Sequence, residues 1–188
     1  MSRYVALLRG INVGGKNPVP MAGLRAVLEE LGFTEVATYI ASGNAILESD
    51  LAADEIAALV EAALPRKFTL DDRLVRVLVL SQAQLQAIVD NRPEGFGSQP
   101  DRYHCDALFL LGIDAVETMA IFDPRPGVDA VWPGNGVIYS QRLSAERTRS
   151  RLSKMMGTPA YKSMTIRNWA TTTTLLEMLR ARDARPGA

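Results

Sequence analysis

Glu35-Val36-Ala37-Thr38-Tyr39-Ile40-Ala41-Ser42-Gly43-Asn44-Ala45-Ile46-Leu47-Glu48 is the stretch on which the fold turns. Glu35–Ala41 and Ala45–Glu48 are rich in strand-forming residues, and Ser42-Gly43-Asn44 between them has tight-turn chemistry, so the stretch predicts a hairpin. On its N-terminal side, Met21, Leu24, Val27, Leu28 and Leu31 recur at helical spacing. Pro20 suits the first turn and Gly32 the stop, which predicts a helix over about 20–31. Before that helix, Arg3–Leu8 is almost unbroken apolar sequence and reads as a buried strand. On the C-terminal side, Ile56, Leu59, Val60, Ala63 and Leu64 predict a second helix ended by Pro65, and Leu74–Leu80 a further buried strand. The order is β-α-β-β-α-β, that of a ferredoxin-like unit: an antiparallel sheet with two helices on one face.

Ser81-Gln82-Ala83-Gln84 fits a capping box and predicts a helix using Leu85, Ile88 and Val89. Asn91–Arg102 is polar and rich in Gly and Pro, and reads as a linker. A strand over Tyr103–Leu111 and a helix over Asp114–Phe122 follow. Two strands, near Asp129–Pro133 and Val137–Arg142, flank Asn135-Gly136, a strong hairpin dipeptide whose residues tolerate positive φ. A basic helical stretch near 147–156 and a long helix from Ile166 to Arg182 complete the chain. The helix would bury Ile166, Trp169, Thr173, Leu176 and Leu179. The expected fold class is α+β, with two ferredoxin-like subdomains in one compact protein, βαββαβ over residues 1–90 and βαββα over 103–188, joined by the 91–102 linker. The tail Asp183–Ala188 is expected to fray.

Composition bounds the function. With 47% hydrophobic and 22% charged residues in 188, the chain is globular in type. Its 21 basic and 21 acidic residues cancel, which gives no global support to nucleic-acid binding. A local excess remains: Arg142, Arg147, Arg149, Arg151, Lys154, Lys162 and Arg167 face only Glu146 within that segment. The plain alternative is a solvated surface. Cys105 is the single cysteine, so no intrachain disulfide forms, and a reducing, cytoplasmic setting is expected. Tyr4–Leu8 is too short for a signal-peptide core, and no apolar run approaches the roughly 20 residues of a membrane span.

The richest motif is Arg9-Gly10-Ile11-Asn12-Val13-Gly14-Gly15-Lys16-Asn17, between a strand and a helix. There, backbone N–H groups can converge on an anion. Gly10–Lys16 matches G-x-x-x-x-G-K, the opening of a phosphate-binding P-loop. Asn17, however, replaces the hydroxyl that would hold Mg²⁺, and Pro18 and Pro20 keep the helix from starting at Lys16. What remains is a looser anion loop with Arg9 and Lys16 as cations, against the alternative that the glycines serve only a tight backbone path. Ser42 and Asn44 join the candidate set because this topology brings the hairpin turn to the same sheet end as Gly14 and Gly15. Thr165 is a candidate helix N-cap, with Arg167 and Asn168 in the first turn, where an anion is also favoured. His104 and Cys105 are adjacent on a strand and would point to opposite faces, as would Asp71 and Asp72. No metal-ligand set, nucleophile elbow or general base stands out, so no reaction or cofactor is assigned.

Leu7-Leu8-Arg9-Gly10-Ile11-Asn12-Val13-Gly14-Gly15-Lys16-Asn17, Tyr39-Ile40-Ala41-Ser42-Gly43-Asn44 and Thr165-Ile166-Arg167-Asn168-Trp169 together resemble the bacterial domain-of-unknown-function family 1697. The resemblance spans nearly the whole chain. It implies two ferredoxin-like subdomains and no established activity. Family members commonly carry Gln at the place of Ala41 and Ala at that of Ile166, so no ligand contact is carried over to either side chain. Three readings follow: a small phosphate-bearing ligand bound at Arg9, Asn12, Gly14, Gly15, Lys16, Asn17, Ser42, Asn44, Arg167 and Asn168; RNA or other nucleic acid bound through 142–167; or a structural, assembly role without a small-molecule site.

Overall fold

Val5, Ala6, Leu7 and Leu8 are all buried, because the strand that carries them, β1 (Ser2–Arg9), is an inner strand of its sheet, paired along both edges. The computed structural model describes residues 1–71 and 75–181. By internal contacts the chain divides into two units: Met1–Gln86 with the segment from Leu175 onward, and Ala87–Thr174. Among the described residues there are two four-stranded antiparallel sheets. The predicted Asp72 and Leu74, and the tail Asp183–Ala188, lie outside the described residues.

In the first unit the order of elements is β1, α1 (Met21–Glu30), β2 (Thr34–Tyr39), β3 (Asn44–Ser49), α2 (Ala53–Lys67) and β4 (Arg76–Ser81). The strands lie in the order β2-β3-β1-β4. Ala6, Leu8, Ala45 and Leu47 share a core with Leu24 and Leu28 of α1 and Ile56, Val60 and Leu64 of α2. Both helices therefore cover one face of the sheet, as their apolar stripes require. Gly32 ends α1 at φ 88, its N–H donating to Glu29 O. Pro65 does not end α2 but sits inside its last turn. The position lacks one N–H, yet the helix closes over it, with Phe68 N donating to Leu64 O. Arg66 and Lys67 then complement the dipole at the C-terminal end. The hairpin turn runs one residue earlier than the sequence suggests, with Asn44 already in β3, opposite Leu7.

The capping box holds as read: Gln84 N donates to Ser81 Oγ (3.2 Å) and Ser81 N to Gln84 Oε1 (2.8 Å), opening α3 (Gln82–Asp90). The Asn91–Arg102 segment has no helix or strand, yet Phe96 within it is buried. Its ring meets Trp132, Tyr139 and Trp169 edge-on at centroid distances of 6.1, 5.4 and 5.0 Å. Gly97 is confined by this cluster, since a Cβ there would lie 2.2 Å from Trp169 Cδ1.

The second sheet is β6 (Asp129–Gly134), β7 (Val137–Leu143), β5 (Tyr103–Leu110) and β8 (Met164–Asn168), in that order. β8 corrects the βαββα reading. Met164–Asn168 is not the first turn of the last helix but a strand antiparallel to β5, from Asp106↔Asn168 to Leu110↔Met164. α5 therefore spans Trp169–Ala181. Thr165 and Ile166 are β-branched and satisfy a strand as readily as a helix, and the free edge of β5 decides between them. The 147–156 stretch is not one helix either. It forms 3₁₀ turns over Ser144–Arg149 and Leu152–Gly157, with a third over Pro159–Ser163. The Asp114–Phe122 helix is a single turn, α4 (Ala115–Thr118), followed by 3₁₀ residues Met119–Ile121. At the β6–β7 turn only Gly136 takes positive φ (70).

Tyr139 is 1% exposed and donates from its hydroxyl to Ile88 O at 2.6 Å. Burial pushes its phenol up to about 12 from an ordinary 10, so the unfolded chain loses this proton first. The contribution of Tyr139 to stability is full below pH 10 and falls as pH rises toward 12. Tyr139→Phe is expected to cost about 1–2 kcal/mol at pH 8, with the gap to the parent narrowing by pH 11. Urea denaturation at the two pH values checks this.

Candidate functional site

The loop after β1 is a small hairpin. Lys16 N donates to Val13 O and Asn12 N to Asn17 O, each at 3.0 Å. Gly14 and Gly15 fill the two central positions at φ 58 and 74, the sign pattern of a type I′ turn. Asn12 (φ 54) and Asn17 (φ 49) flank it in the same left-handed region, which Asn tolerates better than other side-chain-bearing residues. Asn12 Oδ1 accepts from Val19 N at 2.7 Å, and its Nδ2 donates to Val19 O and Ala41 O, both at 2.8 Å. Asn17 Nδ2 donates to Gly10 O at 2.7 Å, and Asp71 N donates to Asn17 Oδ1 at 2.8 Å. Both amides are thus engaged in holding the loop closed. Gly14, Gly15 and Lys16 are exposed at its tip, and Arg9 is half-buried at its base.

The loop and the β2–β3 turn meet within the first unit, as the topology predicts, though through other atoms. Asn12 reaches Ala41 O, and Leu8 N donates to Gly43 O at 2.8 Å. Gly43 (φ 79) lies over Ile11: a Cβ there would be 3.0 Å from both Ile11 Cδ1 and Leu8 Cβ. Asn44 is fully buried, its Nδ2 donating to Tyr39 O (3.0 Å) and Ser42 Oγ (2.9 Å). Ser42 itself is exposed.

Arg167 and Asn168 belong to the second unit. Arg167 is 6% exposed, and its Nη1 donates to Thr165 Oγ1 (2.9 Å) and Ile166 O (2.8 Å). Burial pushes the guanidinium down to about 10, so it stays charged at neutral pH. Asn168, not Thr165, caps α5: Thr171 N donates to Asn168 Oδ1 at 2.7 Å.

Part of the basic segment is neutralised. Arg149 pairs with Glu146 at 3.1 Å, and Arg151 and Lys154 both pair with Asp123, at 3.0 and 3.4 Å. Arg167 is buried, while Arg147 and Lys162 are exposed.

A cavity of about 450 Å³ in the second unit was missed in the sequence. Its wall includes Tyr103, His104, Cys105, Asn168, Trp169 and Thr173. His104 and Cys105 thus line one space, although adjacent on β5. His104 Nε2 lies 3.1 Å from Asp106 Oδ1. Burial raises the Asp106 carboxyl, with His104 and Arg142 acting the other way. Burial also raises the Cys105 thiol, which donates to Gln141 Oε1 at 3.4 Å, so it is no activated nucleophile. The legible signal was Asp106 two residues from His104, on the same strand face. Among the described residues no group of three or more His, Cys, Asp or Glu could hold a metal ion, and no helix is long and apolar enough to cross a membrane.

The glycines separate backbone strain from contact. Gly14→Ala, in open space at positive φ, is expected to cost about 1 kcal/mol, and Gly43→Ala upward of about 2 kcal/mol, because the same strain adds to contacts with Ile11 and Leu8. Urea denaturation of both variants reads the difference.

Comparison with known proteins covers the first two of the three motifs. The model of the family described as "Protein of unknown function (DUF1697)" matches residues 1–139. The structure of the conserved bacterial protein SP0830 from Streptococcus pneumoniae is similar, with a TM-score of 0.78 at 28% identity, over 95% of this chain and 98% of that one. No curated protein matches the chain. With its signature loop, its hairpin and three-quarters of its length covered by the family model, the chain belongs to the DUF1697 family of proteins of unknown function.

Proposed function

We propose that the Arg9–Asn17 loop binds a small anionic ligand of the phosphate-bearing kind. One observation carries the reading: the adjacent amides of Gly14 and Gly15 are exposed at positive φ and donate to no other described residue. Successive amides in such a turn form a concavity suited to an anion. The space around both is open, since a Cβ at either would meet nothing within 4 Å. An oxyanion can therefore approach the backbone closely. Exposed Lys16 at the tip and Arg9 at the base supply positive charge. Asn12 and Asn17 contribute by holding the loop in shape before a ligand arrives, which lowers the ordering cost of binding. Ser42, exposed in the neighbouring turn, adds a hydroxyl.

The nucleic-acid reading is weaker, because ion pairs with Glu146 and Asp123 engage Arg149, Arg151 and Lys154 and Arg167 is buried. The order β2-β3-β1-β4 with α1 and α2 on one face supports reading the first unit as ferredoxin-like, and the sheet β6-β7-β5-β8 supports a variant of that unit in the second.

Titration of ¹⁵N-labelled protein with inorganic pyrophosphate tests the loop. The Gly14 and Gly15 amide resonances are expected to move saturably, and Lys16→Ala to weaken Kd by about tenfold or more, the loss of a charge-assisted contact. If phosphate, pyrophosphate and a nucleoside triphosphate all leave these amides unmoved, the loop serves only to seat the β2–β3 turn and the reading fails.

A further inference from the structure

The cavity beside β5 has the makings of a second, independent site. At about 450 Å³ it lies in the range of small-molecule pockets. Two aromatic side chains, Tyr103 and Trp169, and the thiol-bearing Cys105 form part of its wall. The indole is held in place by Phe96 at 5.0 Å and by Gly97, whose missing Cβ leaves room for it. A flat apolar ring matches such walls.

Two of the polar groups at the cavity have their orientation set. Asn168 Oδ1 accepts from Thr171 N at 2.7 Å, so Nδ2, with its two N–H groups, is the end of the amide left for a ligand. His104 is held through Nε2 by Asp106 at 3.1 Å. In its protonated form the ring keeps Nε2–H on Asp106 and offers Nδ1–H to a ligand. The Thr173 hydroxyl donates back to the α5 backbone, to Ala170 O at 3.0 Å. The Asp106 carboxylate is engaged by His104, so no free anion competes at this wall among the groups that line it. A cavity with an aromatic wall and oriented N–H donors complements a flat ring bearing a carboxylate.

We infer that the second unit binds a small aromatic carboxylate in the cavity between the start of β5 and the start of α5, with the ring against Trp169 and Tyr103 and the carboxylate on Asn168 Nδ2 and His104. Nothing in this inference rests on the glycine loop, and the two proposals stand or fall separately.

The test uses the full chain, benzoate and indole-3-carboxylate as probes, and benzamide as the uncharged control. The readout is the Trp169 indole N–H resonance, with Trp132→Phe used to assign it. Saturable shifts are expected with both carboxylates and binding about tenfold weaker or worse with benzamide. Asn168→Asp retains a good N-cap but replaces the donor by a negative charge. It is expected to leave the melting temperature within about a degree or two and to weaken the carboxylates by about tenfold or more. Lys16→Ala is expected to change nothing here. Equal binding of benzoate and benzamide, undiminished carboxylate binding by a folded Asn168→Asp variant, or no saturable shift with either carboxylate would each overturn the inference.

Discussion

Each sheet is built round a strand that must be paired along both edges and buried on both faces. β1 lies between β3 and β4, and β5 between β7 and β8. A strand so placed has no exposed face for polar side chains, which is why Val5-Ala6-Leu7-Leu8 and Ala107-Leu108-Phe109-Leu110 read as unbroken apolar runs. The rest follows from satisfying these two strands. Helices α1 and α2 cover the Ala6 and Leu8 face of the first. Ala115 and Met155 pack with Leu108 and Leu110 of the second. Every flanking strand runs antiparallel, and each reaches its inner strand only after other elements intervene: α1 and β2 before β3, α2 before β4, β6 before β7, and both β6 and β7 before β8.

The glycine loop shows how a sheet end is turned into a potential site. Between β1 and α1 the backbone passes through five left-handed residues, Gly10, Asn12, Gly14, Gly15 and Asn17. The two asparagines divide the labour from the glycines. Their amides replace missing backbone partners at Val19, Ala41, Gly10 and Asp71, and so hold the base of the loop. The glycines at the tip keep their own amides outward. A motif that resembles a P-loop in spelling is a different object in space: a hairpin braced from beneath, not a loop wrapped round a helix N-terminus.

In the second unit the organising feature is the ring cluster of Phe96, Trp132, Tyr139 and Trp169. It draws a Gly- and Pro-rich segment, polar by composition, into the core through one phenylalanine. The same cluster positions Trp169 at the cavity wall. Arg167, on the neighbouring strand, is buried as a charged residue, and its bonds to Thr165 Oγ1 and Ile166 O offset part of its desolvation.

Local signals were reliable wherever the determinant was local. The apolar run of β1, the stripe of α1 ended by Gly32, the Ser81–Gln84 capping box and the β2–β3 hairpin all depend on residues within a few positions of one another, and the family itself is legible in the Arg9–Asn17 spelling. Two of the misreadings share one cause. Thr165–Asn168 carries a fair helix start, but the open edge of β5, some sixty residues earlier in the chain, claims it as a strand. Asn44 looks like a turn residue, but pairing with Leu7 places it in β3 and buries it. The roles of Asn12 and Asn17 as braces, and the meeting of His104 and Trp169 in one cavity, likewise depend on contacts distant in sequence. The sequence by itself determined the alternation of strands and helices in the first unit and the family, because those follow from short-range sterics, hydrophobic period and motif spelling. Only the tertiary structure decided which polar groups are engaged and which are left facing outward, because hydrogen-bond partners are assigned when distant strands close into sheets.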